Sequence, residues 1–128
     1  GYMQSVGKSV GMHAHNNLQL GFANTVEALI TGANMLDSSM AGLGRGAGNC
    51  PTELLLGFLH NPKFKLRPVL ECIEKNLEPL REELKWGFDL PYMITAFLNQ
   101  HPRVAIKFND SENRGQAAKF YDMMIEEE

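Results

Sequence analysis

The amino-acid sequence predicts an α/β fold: a βαβα unit with parallel strands over residues 1–62 and a helical extension over residues 63–128, mostly α by residue count. Two observations lead to this. In the first half, short apolar runs alternate with segments whose apolar residues recur at helical spacing, the pattern that builds parallel sheets. In the second half helical spacing dominates.

The elements follow in chain order. Gly1-Tyr2-Met3 is not a natural start, and Tyr2 to Lys8 reads as the end of a helix already under way, so the chain is expected to be a piece of a longer protein. Ser9 to His15 is short, apolar and entered through Gly7 and Gly11, as suits a buried parallel strand. Phe22, Val26, Leu29 and Ile30 recur at helical spacing, and Gly32 ends that helix. Met35 to Met40 reads as the second strand and runs into the glycine-rich loop "AGLGRGAGN". Cys50-Pro51-Thr52-Glu53 opens the next helix, with Pro51 in the first turn, where its missing N–H costs nothing. A right-handed crossover would bring both strand ends, His15 and Gly42, to one edge. Two strands do not make a stable sheet alone: either the helices cover them or further strands lie in chain outside these residues, and the second is the expectation.

Leu66 to Trp86 carries Val69, Leu70, Ile73, Leu77, Leu80 and Leu84, an amphipathic helix with a candidate kink at Pro79. Pro91 to Leu98 is a shorter apolar helix. Pro102 to Phe108 reads as a helical turn or two, although Val104, Ile106 and Phe108 also alternate like a strand. Asn109 to Asn113 is a polar loop, in which Ser111 is a candidate cap for a last helix, Arg114 to Glu126, that buries Ala118, Tyr121, Met124 and Ile125. Glu126 to Glu128 is expected to be a solvated tail.

Composition narrows the function. With 44% hydrophobic and 21% charged residues the chain is ordinary globular material. A net charge of −3 gives nucleic-acid or anionic-membrane binding no electrostatic support. No run approaches the roughly 18 apolar residues of a membrane span. Cys50 and Cys72 lack metal-ligand spacing and read as reduced thiols of a cytoplasmic protein.

The chemistry-bearing stretch is "GMHAHNN". On an extended chain the period of two puts His13 and His15 on one face, where both imidazoles could meet one ion as neutral ligands. The alternative is a pair of ordinarily hydrogen-bonded histidines. The asparagine pair after His15 and the following glycine-rich loop favour a site, since ligands bind at the carboxyl ends of parallel strands. That loop fits neither the dinucleotide G-x-G-x-x-G spacing nor a P-loop. It is either a flexible surface loop or one that brings backbone close to a ligand. Asn49 offers an oxygen to a hard cation, and Arg45 a partner for a carboxylate. Asp37 either orients a ligand or closes a structural hydrogen bond. Tyr92 reads as a core tyrosine or as a side chain projecting into a pocket. His60 and His101 read as solvated or helix-terminal.

The text "GMHAHNNLQLGFANTVEALITGANMLDSSMAGLGRGAGNCPTELLL" resembles the last two strand–helix units of the HMG-CoA lyase-like, or DRE-TIM metallolyase, superfamily, most closely its 4-hydroxy-2-oxovalerate aldolase branch. The resemblance is dense over roughly the first 60 residues and looser beyond. It implies the C-terminal part of a (β/α)₈ TIM barrel, with these strands as the seventh and eighth, followed by a helical extension. It implies His13 and His15 as ligands of Mn²⁺ or Mg²⁺, and Asn49 as either a further ligand or a group that supports the ligands, a role that varies between branches. The implied activity cleaves a 4-hydroxy-2-oxo acid to pyruvate and an aldehyde; Arg45 and Tyr92, singled out from the residues themselves and not by the resemblance, are candidate substrate contacts. It also implies an aldehyde dehydrogenase partner for the full-length protein. Two departures stand out. No "DRE" or "DGG" text occurs, so the family's aspartate ligand, catalytic base and enolate-stabilising arginine are not in these residues. The glycine loop lacks the cysteine of the HMG-CoA lyase branch proper. These residues alone are therefore expected to be inactive and, with open strand edges, to self-associate. The rival readings are a Claisen-type synthase of the same superfamily, isopropylmalate synthase-like, and a non-catalytic helical assembly module.

Overall fold

The computed structural model describes residues 1–127; Glu128, the end of the expected tail, lies outside them. The elements are α1 (Tyr2–Ser5), β1 (Gly11–Met12), α2 (Gly21–Ile30), β2 (Met35–Leu36), α3 (Thr52–Leu59), α4 (Leu66–Cys72), α5 (Glu78–Leu84), α6 (Leu90–Phe97), α7 (Arg103–Asn109) and α8 (Ala117–Glu126). The fold is α/β and mostly helical, with one small parallel sheet. β1 and β2 pair in parallel, Gly11 with Met35 and Met12 with Leu36. The intervening α2 makes the crossover that parallel pairing needs.

Both strands are shorter than their apolar runs. β1 covers two residues of the expected Ser9–His15, and within that run only Ala14 is buried. β2 stops at Leu36, and Met40 enters a 3₁₀ turn, Met40–Gly42. The reason is partnership: a ladder extends only where a neighbour offers its own groups, and among the described residues each strand has one neighbour. Past β2 the chain is caught by the residues following the glycine loop. Ser39 bridges Pro51 in parallel, and His15 bridges Asn49 in antiparallel sense.

Leu66 to Leu84 is one helical rod with a π turn inside it, Ile73–Leu77, where the Glu78 N–H reaches the Ile73 carbonyl. Pro79 has no N–H and its ring would press on the carbonyl four residues back, so the wider turn just before it absorbs the clash. Residues 102–108 are resolved as helix: α7 runs Arg103–Asn109 and buries Ala105 and Phe108. The last helix differs from expectation. Ser111 donates to the Phe108 carbonyl at 2.6 Å and so closes α7 instead of capping α8. Gly115, at φ +87°, delays α8 to Ala117. Its buried face is Phe120 and Met124, whereas Tyr121 and Ile125 are exposed, as is Ala118.

The core sits among the helices and has two clusters. Tyr92, Ile94, Ala105, Phe108, Phe120 and Met124 close around Ala47 of the glycine loop. Leu77 and Trp86 close around Ala41, which begins the same loop. Phe108 and Phe120 rings lie 4.7 Å apart, and burying a phenylalanine such as Phe120 completely contributes about 1.5–3 kcal/mol. The loop is thus wedged between two clusters of the helical half.

Candidate metal centre

His13 and His15 leave the end of β1 with their rings edge to face, centroids 4.9 Å apart. The two-residue period expected of an extended chain holds here although formal pairing has ended at Met12. The His13 Nδ1 lies 3.1 Å from the Asp37 Oδ2 just beyond β2. A carboxylate on one ring nitrogen sets the tautomer and leaves Nε2 as the free ligand nitrogen. Asp37 therefore orients His13. The His13 and Asp37 side chains are 51% and 64% exposed, and His15 is exposed too, so the rings are open to whatever approaches the strand ends.

Asn49 reaches this edge through the loop's own folding. The His15–Asn49 bridge sets the two residues opposite each other, with side chains on one side of the ladder. Around it, the Asn16 N–H reaches the Gly48 carbonyl at 2.9 Å and the Cys50 N–H the Ala14 carbonyl at 3.2 Å. The Asn49 N–H closes the loop onto the Gly42 carbonyl at 3.0 Å. Gly48 makes that closure: at φ +82°, a Cβ there would stand 2.2 Å from the Gly42 oxygen. The loop is a folded-back structure, not an open surface excursion. The Asn49 amide donates from Nδ2 to the Leu43 carbonyl at 3.3 Å, and its Oδ1 is buried without a partner.

The donor set fits a divalent cation in part. Two neutral imidazoles and one amide oxygen suit such an ion, and the orphaned Asn49 Oδ1 is an acceptor awaiting a donor or a cation. Mg²⁺ and Mn²⁺ take about six ligands, however. Among the described residues no group of three His, Cys, Asp or Glu side chains converges. These residues could fill at most one side of a coordination shell.

Arg45 and Tyr92 are brought together elsewhere. They line a cleft of about 710 Å³ with Trp86, Asn109 and Arg114, and neither histidine nor Asn49 borders it. Tyr92 is also a core residue, 5% exposed and packed under Gly46. His60 ends α3 in the left-handed region and is exposed, and His101 Nδ1 accepts from the Arg103 N–H at 3.1 Å; neither nears the histidine pair's hydrogen-bond network. Cys50, beneath the site, is fully buried, and burial pushes its thiol up; a Thr25 hydrogen bond opposes that and the Glu53 charge adds to it.

Sequence reasoning missed Arg81 and Trp86. The Arg81 Nη2 and Trp86 Nε1 both donate to the Ala41 carbonyl, at 2.7 and 2.9 Å, while the Glu53 carboxylate accepts the Ala41 N–H at 3.0 and 3.1 Å. Ala41 is left-handed, φ 55°. Nothing local in "SSMAGLG" announces an alanine in that conformation, nor a clamp from forty residues away.

The fold and the histidine pair define an α/β protein with a candidate cation site at the carboxyl edge of its parallel strands. A family model described as HMGL-like matches residues 2–76, and the chain belongs to that family. A 4-hydroxy-2-oxovalerate aldolase of Moorella thermoacetica is 35% identical over 117 residues, covering 84% of this chain and 35% of that protein. Its counterpart in Chloroflexus aurantiacus is 45% identical over 112 residues, covering 78% of this chain and 32% of the relative. Among solved structures, the N-terminal domain of a candidate aldolase from Bacteroides vulgatus matches with a TM-score of 0.68 at 36% identity, over 87% of this chain and 38% of that one. The chain spans about a third of the length of these relatives.

Proposed function

We propose that this chain is part of a divalent-metal-dependent aldolase that cleaves a 4-hydroxy-2-oxo acid to pyruvate and an aldehyde, and that it contributes His13, His15 and Asn49 to the metal. The carrying observation is the juxtaposition of two imidazoles, 4.9 Å apart, with an asparagine whose buried Oδ1 has no partner. Relatives named 4-hydroxy-2-oxovalerate aldolase support the substrate class. When bound, Mn²⁺ or Mg²⁺ supplies Lewis acidity toward the carboxylate and keto oxygen of a 2-oxo acid. The chain's own residues hold position: Asp37 turns His13, and the Gly48 closure seats Asn49 beside His15. In this reading the strands are the seventh and eighth of a (β/α)₈ barrel and residues 63–128 its helical extension. A parallel pair with few buried residues supports a sheet that continues in further chain. The catalytic base and enolate-stabilising arginine lie in that further chain, and these residues alone are inactive.

The test has two arms. Mn²⁺ titration of this chain, followed by electron paramagnetic resonance, should show binding that His13→Ala or His15→Ala weakens by about tenfold or more. With the complete protein, pyruvate release from 4-hydroxy-2-oxo acids should stop in EDTA. Release that persists, or Mn²⁺ binding indifferent to both histidines, would sink the metal reading. Condensation of acetyl-CoA with a 2-oxo acid would move the protein to the synthase branch.

A further inference from the structure

The cleft of about 710 Å³ that Arg45 and Tyr92 line is walled by three stretches far apart in sequence: the glycine loop, the link from α5 to α6, and the end of α7 with the residues after it. Packing fixes their meeting. The Gly87 N–H donates to the Gly46 carbonyl at 3.0 Å, and a Cβ at Gly46 would stand 3.2 Å from the Tyr92 ring of α6. Each stretch brings a cation to the cleft: Arg45, Lys85 and Arg114. The Arg114 Nη1 lies 3.5 Å from the Asn109 carbonyl at the end of α7. All three side chains are exposed, so they are free to close on an occupant. None of them forms an ion pair among the described residues. The carboxylates of Glu83 and Asp110 also border the cleft, which leaves one positive charge in excess. The loop adds neutral donors. The N–H groups of Gly44, Arg45 and Gly46 make no hydrogen bond among the described residues. All three residues line the cleft and none is buried, so their amides are within an occupant's reach. They lead into the turn that the Gly48 N–H closes on the Arg45 carbonyl at 3.2 Å, and successive free N–H groups at a turn form an anion-binding concavity. Tyr92 is 5% exposed, and its hydroxyl has no partner among the described residues and is not enclosed.

We propose that this cleft binds a phosphate monoester, with its oxyanion on the Gly44, Arg45 and Gly46 amides and the three cations, and its organic part against Trp86 and Tyr92. A carboxylate has two oxygens and one charge, too few for this many donors, whereas a phosphate dianion has three terminal oxygens to share among them. Guanidinium groups match phosphate in bidentate fashion, and a lysine adds a point charge. Leu43 and Ile106 extend the apolar wall. The volume lies within the range of small-molecule pockets and exceeds what a bare anion fills, which leaves room for the ester's organic group. Neither histidine nor Asn49 borders the cleft, so the inference goes beyond the aldolase reading and stands without it.

Trp86 is the only tryptophan of the chain and walls the cleft, so its emission reports occupancy directly. The probes are phenyl phosphate, phenol, benzoate and inorganic phosphate. Phenyl phosphate should change the emission saturably and bind about tenfold more tightly than each of the others, or better. Arg45→Gln and Arg114→Gln should each weaken it by about tenfold. Lys107→Gln makes the same charge change on α7 outside the cleft. It should leave the affinity within about threefold, which separates contact from the general field of the protein. In proton–nitrogen correlation spectra, saturating phenyl phosphate should shift the Gly44, Arg45 and Gly46 amides and leave those of His13 and His15 unmoved. The same spectra check that each variant folds. An absent response, or phenol, benzoate or inorganic phosphate binding as tightly as phenyl phosphate, would overturn the proposal. So would a Lys107→Gln loss as large as that of the arginine variants, or shifts that miss the three loop amides. Mn²⁺ titration reads the histidine pair alone: failure to bind Mn²⁺ counts against the metal reading, whereas Mn²⁺ binding without a phenyl phosphate response counts against this cleft.

Discussion

The Ala41 carbonyl offers a sharp test of how the helical half supports the glycine loop. Left-handed backbone costs an alanine about 1–2 kcal/mol, and Ala41 sits at φ 55°, ψ 20°. Two donors hold its carbonyl, and the proposed perturbations are Arg81→Met, Trp86→Phe and the double variant. Trp86→Phe removes one hydrogen bond, about 1 kcal/mol, and some buried ring area, for a total near 2 kcal/mol. Arg81→Met removes the other bond; the side chain is 39% exposed, so its loss is screened to about 1 kcal/mol. In each single variant the carbonyl keeps a donor. In the double variant it is buried and bare, which adds about 1–3 kcal/mol. The Arg81–Trp86 ring contact at 5.1 Å is weakened in both singles, which subtracts about 0.5 kcal/mol from the coupling. The double variant should therefore exceed the sum of the singles by about 1 kcal/mol or more. Urea unfolding of the four proteins, followed by far-UV circular dichroism, measures this. Additivity within about 0.5 kcal/mol would refute the shared-acceptor argument.

Three further outcomes follow from the same geometry. Gly48→Ala places a Cβ 2.2 Å from the Gly42 oxygen at φ +82°; it should cost about 3 kcal/mol or more and lower the melting temperature by about 10 °C, and an unchanged melting curve would mean the loop closes otherwise. Asp37→Ala frees the His13 ring and should weaken Mn²⁺ by about tenfold with no loss of fold; equal affinity in the variant would remove Asp37 from the site. Burial raises the Cys50 thiol above its ordinary value, so the unfolded chain loses this proton first, at about pH 8.5. The corresponding stability is fully present below that pH and is lost as pH rises toward the native value. Urea midpoints measured across this range should fall with pH, and Cys50→Ala should flatten the fall; an identical slope in the variant would assign it to other groups.

What was legible in the sequence is what is local. The two-residue period of an extended chain suffices to put His13 and His15 on one face, and it does so even where the ladder has ended. Helical spacing placed α2 through α7 to within a few residues, because amphipathic helices are specified by their own side chains. Strand length was not legible: an apolar run shows that a segment can pair, while its partners decide how far it does. The α8 start went wrong for a local reason of the opposite kind. Ser111 had two hydrogen-bonding options, and the Phe108 carbonyl behind it won over an N–H ahead. That shifted the helix by three residues and turned Phe120, instead of Tyr121, into the core.

The candidate site divides along the same line. His13, His15 and Asn49 could be singled out as candidate ligands because that chemistry is carried by residue type and short spacing. What holds them was not, because it depends on Arg81 and Trp86 closing on a carbonyl forty and forty-five residues away. The glycine loop explains how the two kinds of information meet. Ala41 and Ala47 are taken into separate helical clusters, while Gly48 folds the intervening chain back so that Asn49 returns to His15. A loop anchored at two points and closed on itself has little freedom left, so packing in the helical half is transmitted to the strand edge through backbone and not through flexible side chains. Substitutions at Arg81 or Trp86 should therefore alter Mn²⁺ affinity at His13 and His15, side chains they do not touch.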